Sequence, residues 1–166
     1  APTSAYKDQS NGASIEWSNF ALANNELVFA LHYKEDKHND GATETEPEKR
    51  YRDVTTSFVA EDRISLSDRW LLTVSASHDR RSAKTVYQYP TGSTNSNNGM
   101  LKLSYALETA SGNPAEVYAL MSHKTRFPTI KDRYSARMGR ALPNPNLKPE
   151  AANHFELGFN GSPWSG

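Results

Sequence analysis

Apolar and polar residues alternate at period two along most of this chain, and no helical face longer than a few turns interrupts them. In NELVFALHY, Leu27, Phe29, Leu31 and Tyr33 share one face while Val28, Ala30 and His32 share the other. RWLLTVSASHD sets Trp70, Leu72, Val74 and Ala76 against Leu71, Thr73, Ser75 and Ser77. The split is sharpest in MLKLSYALE, with Leu101, Leu103, Tyr105 and Leu107 opposite Lys102, Ser104, Ala106 and Glu108. Extended over the whole chain, the pattern predicts an all-β protein with strands over roughly 14–22, 26–34, 53–66, 70–80, 99–109, 115–125 and 150–160.

The connections alternate in length. Short links rich in turn-forming residues fall at ANNE, SDR, SGNP and NGSP. Between them lie three long stretches, KEDKHNDGATETEPEKRYR, RRSAKTVYQYPTGSTNSNNG and TRFPTIKDRYSARMGRALPNPNLKP. A β-sandwich has no reason to sort its connections this way. An outer-membrane barrel does, with short periplasmic turns at one end and long extracellular loops at the other. Strands of about 9 to 11 residues also suffice to cross a bilayer at a tilt.

Composition fits this reading. Of the 166 residues 36% are hydrophobic, and the mean hydropathy of −0.76 leaves little for a two-sided oily core. A barrel wall needs only one apolar face, turned to lipid, and a polar face turned to the lumen. Trp17, Tyr33, Trp70 and Tyr105, near strand ends, suit an interfacial girdle. One strand departs from the pattern: the face of VTTSFVAEDRISL that carries Phe58, Ala60, Ile64 and Leu66 also carries Asp62. In a barrel, Asp62 belongs near a headgroup boundary.

Charge and motifs exclude several functions. Nineteen basic and nineteen acidic residues interleave to a formal net charge of zero, which gives a nucleic-acid partner no electrostatic support. The chain has no cysteine, hence no disulfide framework and no thiolate metal site. APTSAYKDQSNG shows neither the basic start nor the apolar run of a signal peptide. No nucleophile elbow, phosphate-cradling glycine loop or zinc-ligand pair occurs, so no catalysis and no cofactor is expected. His32, His38, His78, His123 and His154 read as solvated or lumen-facing, and Asp36, Asp40, Glu44, Glu46 and Glu48 as an exposed acidic loop.

Three ordered motifs between residues 123 and 161 resemble the TonB-dependent outer-membrane receptors. Phe127, Pro128, Thr129, Ile130, Lys131, Asp132, Arg133, Tyr134 and Ser135 are similar to that family's FRAPTLKELYS. Asn144, Pro145, Asn146, Leu147, Lys148, Pro149 and Glu150 match its NPNLKPE in full, and His154, Phe155, Glu156, Leu157 and Gly158 its NYELG strand. SFVAEDRISLSDRWLLTVSASHD is similar to the strand, turn and strand that often precede them, although SASHD stands where GLRYD is usual and TRFPT replaces GFRAP. The proline motif reads as a stiff hinge: Pro145 and Pro149 fix their own φ and keep Asn144 and Lys148 out of the helical region.

The resemblance implies that residues 1–166 are a segment of the large transmembrane β-barrel, with about seven or eight antiparallel up-and-down strands and Trp164 opening the eighth. The plug domain and the other strands would lie elsewhere. It further implies a Gram-negative outer-membrane receptor for a scarce nutrient, most often a ferric siderophore, otherwise haem, cobalamin or a carbohydrate. Its partners would be outer-membrane lipid and the TonB energy-coupling complex, reached through the plug. Under this reading ligand contacts fall in loops 34–52, 81–98 and 126–148, with Tyr87, Tyr89, Arg126, Arg133, Tyr134, Arg137 and Arg140 as candidates. Guanidinium groups pair with carboxylate or catecholate oxygens, and phenol rings stack on aromatic chelates. A closed eight-stranded barrel and a soluble β-sandwich or lipocalin-like binder remain the alternatives.

Overall fold

The computed structural model describes residues 6–41, 47–108, 112, 114–135 and 142–161. They form a single antiparallel sheet of seven strands joined in chain order: β1 (Tyr6–Asn19), β2 (Asn25–Asp40), β3 (Lys49–Ser65), β4 (Trp70–Val86), β5 (Gly92–Glu108), β6 (Pro114–Arg126) and β7 (Glu150–Gly161). One short helix, α1 (Ile130–Tyr134), lies between β6 and β7. There is no second sheet among the described residues, which removes the β-sandwich alternative. β1 and β7 do not pair, so the sheet is open, as a segment of a larger barrel would be.

The register carries the alternation across every strand. Trp17 opposes Phe29, and Phe29 opposes Ala60. Val74 opposes Leu101, which opposes Met121, which opposes Phe155. All share one face with Leu31, Phe58 and Leu157, and apart from the half-buried Phe29 the larger ones stay exposed: Trp17, Leu31, Phe58, Val74, Leu101, Met121, Phe155 and Leu157. On a soluble protein such a surface would aggregate, whereas in a bilayer it is the solvated one. The opposite face is polar and carries α1.

The apolar belt does not follow the hydrogen-bonding direction. It spans Ala13 to Trp17 on β1, Leu27 to Tyr33 on β2, Phe58 to Ile64 on β3, Trp70 to Ala76 on β4 and Leu101 to Leu107 on β5. Because Ile15 is in register with Leu31, Phe58, His78 and Asn97, the belt steps downward from strand to strand. That slant is the tilt and stagger a closed barrel requires. At its lower rim Trp70 meets Tyr105 at 4.7 Å. Asp62 lies near the same rim, three residues from the end of β3, and its carboxylate accepts two bonds from Asn25 Nδ2 at 3.1 and 2.8 Å.

The strands run well past their expected ends. β3, β4 and β5 each have 17 residues, about 55 Å at the usual rise, where about 9 to 11 residues cross a bilayer. Most of the expected loops 34–52 and 81–98 are therefore strand, and the link between β4 and β5 is only residues 87–91. Above the belt both faces of a strand are wet. The period-two signal fades there, although the backbone ladder continues. The connection after β6 is long, and Arg137, Arg140, Glu44, Glu46 and Trp164 lie outside the described residues.

Candidate functional site

Above the belt, the polar face is built around α1. The T-x-x-D sequence starting at Thr129 closes a capping box: Thr129 Oγ1 accepts from the Asp132 amide at 3.1 Å, and the Thr129 amide donates to Asp132 Oδ2 at 2.9 Å. This signal was readable in the sequence, where only a loop was expected. The helix is too short to persist alone, and its packing explains why it forms. Tyr134 stacks on Tyr51 of β3 at 4.9 Å and meets Tyr89 at 5.5 Å. Ile130, Val86 and Tyr87 complete this cluster.

Arg133 is 1% exposed and ion-paired with Asp53 of β3. Arg81 of β4, also buried, donates from Nη1 to the carbonyl of Pro128 at 2.9 Å, with its guanidinium 5.5 Å from the Phe127 ring centre. The family-like FPT motif thus has a physical content: Phe127 covers a guanidinium, Pro128 supplies an acceptor, and Thr129 starts a helix. Burial raises the Asp53 carboxyl above its usual range, against the pull of Arg133 and Arg81. Burial, then Arg133, lowers Arg81. At the helix's far side Lys131 reaches Asp8 of β1 at 2.8 Å, and His38 of β2 binds the same carboxylate. Lys131 and then His38 hold Asp8 below its usual value.

The proline motif seals the other side of α1. The Asn144 amide donates to the Arg133 carbonyl at 2.7 Å. Asn144 Oδ1 accepts from the Asn146 amide at 3.1 Å, and the Leu147 amide donates to the Asn144 carbonyl at 3.3 Å. Asn144 to Leu147 is therefore a turn that caps the helix's exit, with Pro145 inside it, and Pro149 precedes the first residue of β7. Next to it the wall forks. β5 and β6 pair only as far as Gly99 and His123. Beyond that, Asn98 Oδ1 accepts from the Thr125 amide at 2.6 Å and its hydroxyl at 2.8 Å, while Asn98 Nδ2 donates to Ser77 Oγ at 3.0 Å and Asp79 Oδ2 at 2.5 Å.

Two hollows flank α1. A cavity of about 650 Å³ lies between the helix and the upper inward faces of β1 to β4, lined by Lys34, His38, Asp53, Arg81 and Lys131 among others. A smaller one of about 250 Å³ separates Arg133 and Tyr134 from residues 90–94 and 145–149. Of the residues singled out from sequence, Tyr87, Tyr89, Arg133 and Tyr134 come together here, largely as each other's packing partners. Arg126 sits at the end of β6, paired with Glu150 at 3.2 Å. Sequence reasoning missed Asp8, Tyr51, Asp53 and Arg81, and had read His38 only as solvated or lumen-facing. Their spacing, Tyr51 with Asp53 and His38 two residues from Asp36, continues the inward parity of strands it had ended too early. No group of three His, Asp or Glu side chains among the described residues could hold a metal ion.

A family model described as TonB dependent receptor-like, beta-barrel matches residues 2–166. Searches of curated proteins and of solved structures return no match.

Proposed function

Because the chain belongs to the TonB-dependent receptor β-barrel family, a family of outer-membrane transporters, we propose that it forms part of the barrel wall of a Gram-negative importer for a ferric siderophore. The cavity of about 650 Å³ on the polar face carries the proposal. It has the size of sites for ligands of a few hundred daltons. Its lining sets Lys34, Lys37, His38, Arg81 and Lys131 beside the carboxylates of Asp8, Asp36 and Asp53 and the Phe127 ring, so cations and an aromatic face are available to a chelate that bears acidic and aromatic groups. Tyr87, Tyr89, Arg126, Arg137 and Arg140 remain the proposed ligand contacts, with Arg133 and Tyr134 holding the helix that bounds the cavity. Under this reading the extracellular end captures the chelate, the lumen guides it to a plug domain, and energy arrives through the TonB complex contacting that plug.

The test is uptake of radiolabelled iron by cells carrying the full-length receptor. Ferric siderophore should accumulate only with the receptor present and with an intact energy-coupling complex, and a protonophore should stop it. Equal uptake in a receptor deletion across a siderophore panel would overturn the iron assignment. Haem, cobalamin or oligosaccharide uptake in the same cells would replace it.

A further inference from the structure

The two hollows that flank α1 differ in charge. The larger sets the carboxylates of Asp8, Asp36 and Asp53 beside its cations. The smaller, of about 250 Å³, is lined by Arg81 and Ala83 of β4, Arg133 and Tyr134 of α1, residues 90–94 and residues 145–149. Its lining therefore holds three cations, Arg81, Arg133 and Lys148, and no acidic side chain.

The acids nearest in the chain and in the fold are engaged elsewhere. Asp53 lines the larger hollow and is ion-paired with Arg133. Asp79, the next inward acid down β4, accepts from Ser77 and Asn98. Asp132 closes the capping box, and Glu150 pairs with Arg126. Arg81 is 6% exposed, and its partners are the Pro128 carbonyl and the Phe127 ring, not a carboxylate. Arg133 binds Asp53 through Nη2 and the Tyr134 hydroxyl through Nη1 at 3.0 Å, while its buried Nε has no acceptor among the described residues. Arg81, Arg133 and Lys148 against Asp53 leave two positive charges in excess. A buried guanidinium without a counter-charge and an orphaned N–H are both costly, and a bound anion would relieve both.

The rest of the lining suits an oxyanion. Guanidinium forks match its oxygens. The Tyr134 hydroxyl accepts from Arg133 and keeps its own proton to donate, and Thr91, Ser93 and Thr94 add further hydroxyls. Thr94 stands directly opposite Arg81 in the register of β4 and β5. The volume lies below the range of sites for drug-sized ligands, which points to a small ion.

We propose that this hollow binds a small free dianionic oxyanion, of which inorganic phosphate is the simplest, through Arg81, Arg133 and Lys148. One such ion would join β4, α1 and the proline segment that leads into β7, and so clamp the helix and its hinge to the wall. The inference rests on the charge balance of this hollow and not on the cargo, so a failed siderophore assay leaves it standing.

The experiment measures equilibrium binding of radiolabelled inorganic phosphate to the detergent-solubilised full-length receptor, with chloride as the other anion, and the melting temperature with and without phosphate. Wild type should bind phosphate saturably, lose it to competing sulfate and melt higher when it is bound. Lys148→Gln, a change at an exposed side chain, should weaken binding by about tenfold. Thr94→Asp sets a tethered carboxylate opposite Arg81, so it should abolish phosphate binding and raise the melting temperature of the phosphate-free receptor. Absence of saturable binding in wild type, or wild-type affinity in both variants, overturns the proposal. Displacement of the phosphate by ferric siderophore, one for one, also overturns it, because the three cations would then belong to an acidic group of the cargo.

Discussion

Replacing Asp53 by alanine should release α1 without unravelling the sheet. The docked helix buries two guanidinium groups, Arg133 and Arg81, around a single carboxylate. Removing that carboxylate strands buried positive charge, which costs about 3 to 5 kcal/mol. What else holds α1 is of the same order: burial of Ile130 contributes about 1.5 to 3 kcal/mol. The stack of Tyr134 on Tyr51 contributes about 0.5 to 1.5 kcal/mol. The Asn144 to Arg133 bond contributes about 1 kcal/mol, and the exposed Lys131–Asp8 pair less than about 1 kcal/mol. The penalty therefore matches the remaining attachment, and the helix should shift from docked to largely released. Hydrogen exchange of the full-length receptor reads this directly. Amide protection at Arg133 and Ser135, whose N–H groups donate to Thr129 and Lys131, should fall on the order of a hundredfold, while β3 and β4 exchange as in wild type. Trypsin should gain cleavage after Lys131 and Arg133. The paired Asp53→Leu, Arg133→Met variant removes the stranded charge with its partner and should restore most of the protection. Wild-type exchange and protease resistance in Asp53→Ala, or equal damage in the paired variant, would refute the role given to this ion pair.

Three further outcomes are expected. A Cβ on Gly158 would stand 2.3 Å from the far end of the Tyr118 ring, which can swing aside only by giving up its bond to Glu156, so Gly158→Ala should lower the melting temperature of the detergent-solubilised barrel, by about 0.5 to 1.5 kcal/mol of stability. In a Tyr118→Ala background the same substitution should cost almost nothing, and an equal cost would show that the ring is not the obstacle. Leu101→Arg places a cation in the belt and should cost about 2 to 4 kcal/mol in bilayer-refolding titrations, whereas Lys102→Arg on the opposite face should be near neutral; similar costs would contradict the assignment of faces. Asp8 titrates below its ordinary 3.8 because Lys131 and His38 bind its charged form, so its contribution is complete above that value and lost as pH falls through the depressed one. The melting-temperature gap between wild type and Asp8→Asn should accordingly shrink as the pH falls below 3.8, and a gap that widens on acidification would count against the pairing.

Much of the fold could be read from the chain because, in lipid, alternation is enforced one residue at a time. Leu101, Leu103 and Tyr105 face hydrocarbon whatever their neighbours do, and the periodicity of each strand discloses its face without knowledge of the next. The family-like segments were equally local: Thr129 with Asp132, and Asn144 with Pro145, specify a helix start and a turn by bonds spanning two or three residues. Above the belt that enforcement stops, and the sequence alone placed strand ends at Lys34 and Arg80 that the backbone ladder carries on to Asp40 and Val86. Only the tertiary structure could bring Asp53 to Arg133, eighty residues away, or Asp8 to Lys131, 123 residues away. Neither charge has a local partner that marks it out in the sequence. Desolvation by the closing wall gives the Asp53–Arg133 pair its meaning, whereas the Asp8–Lys131 pair stays exposed.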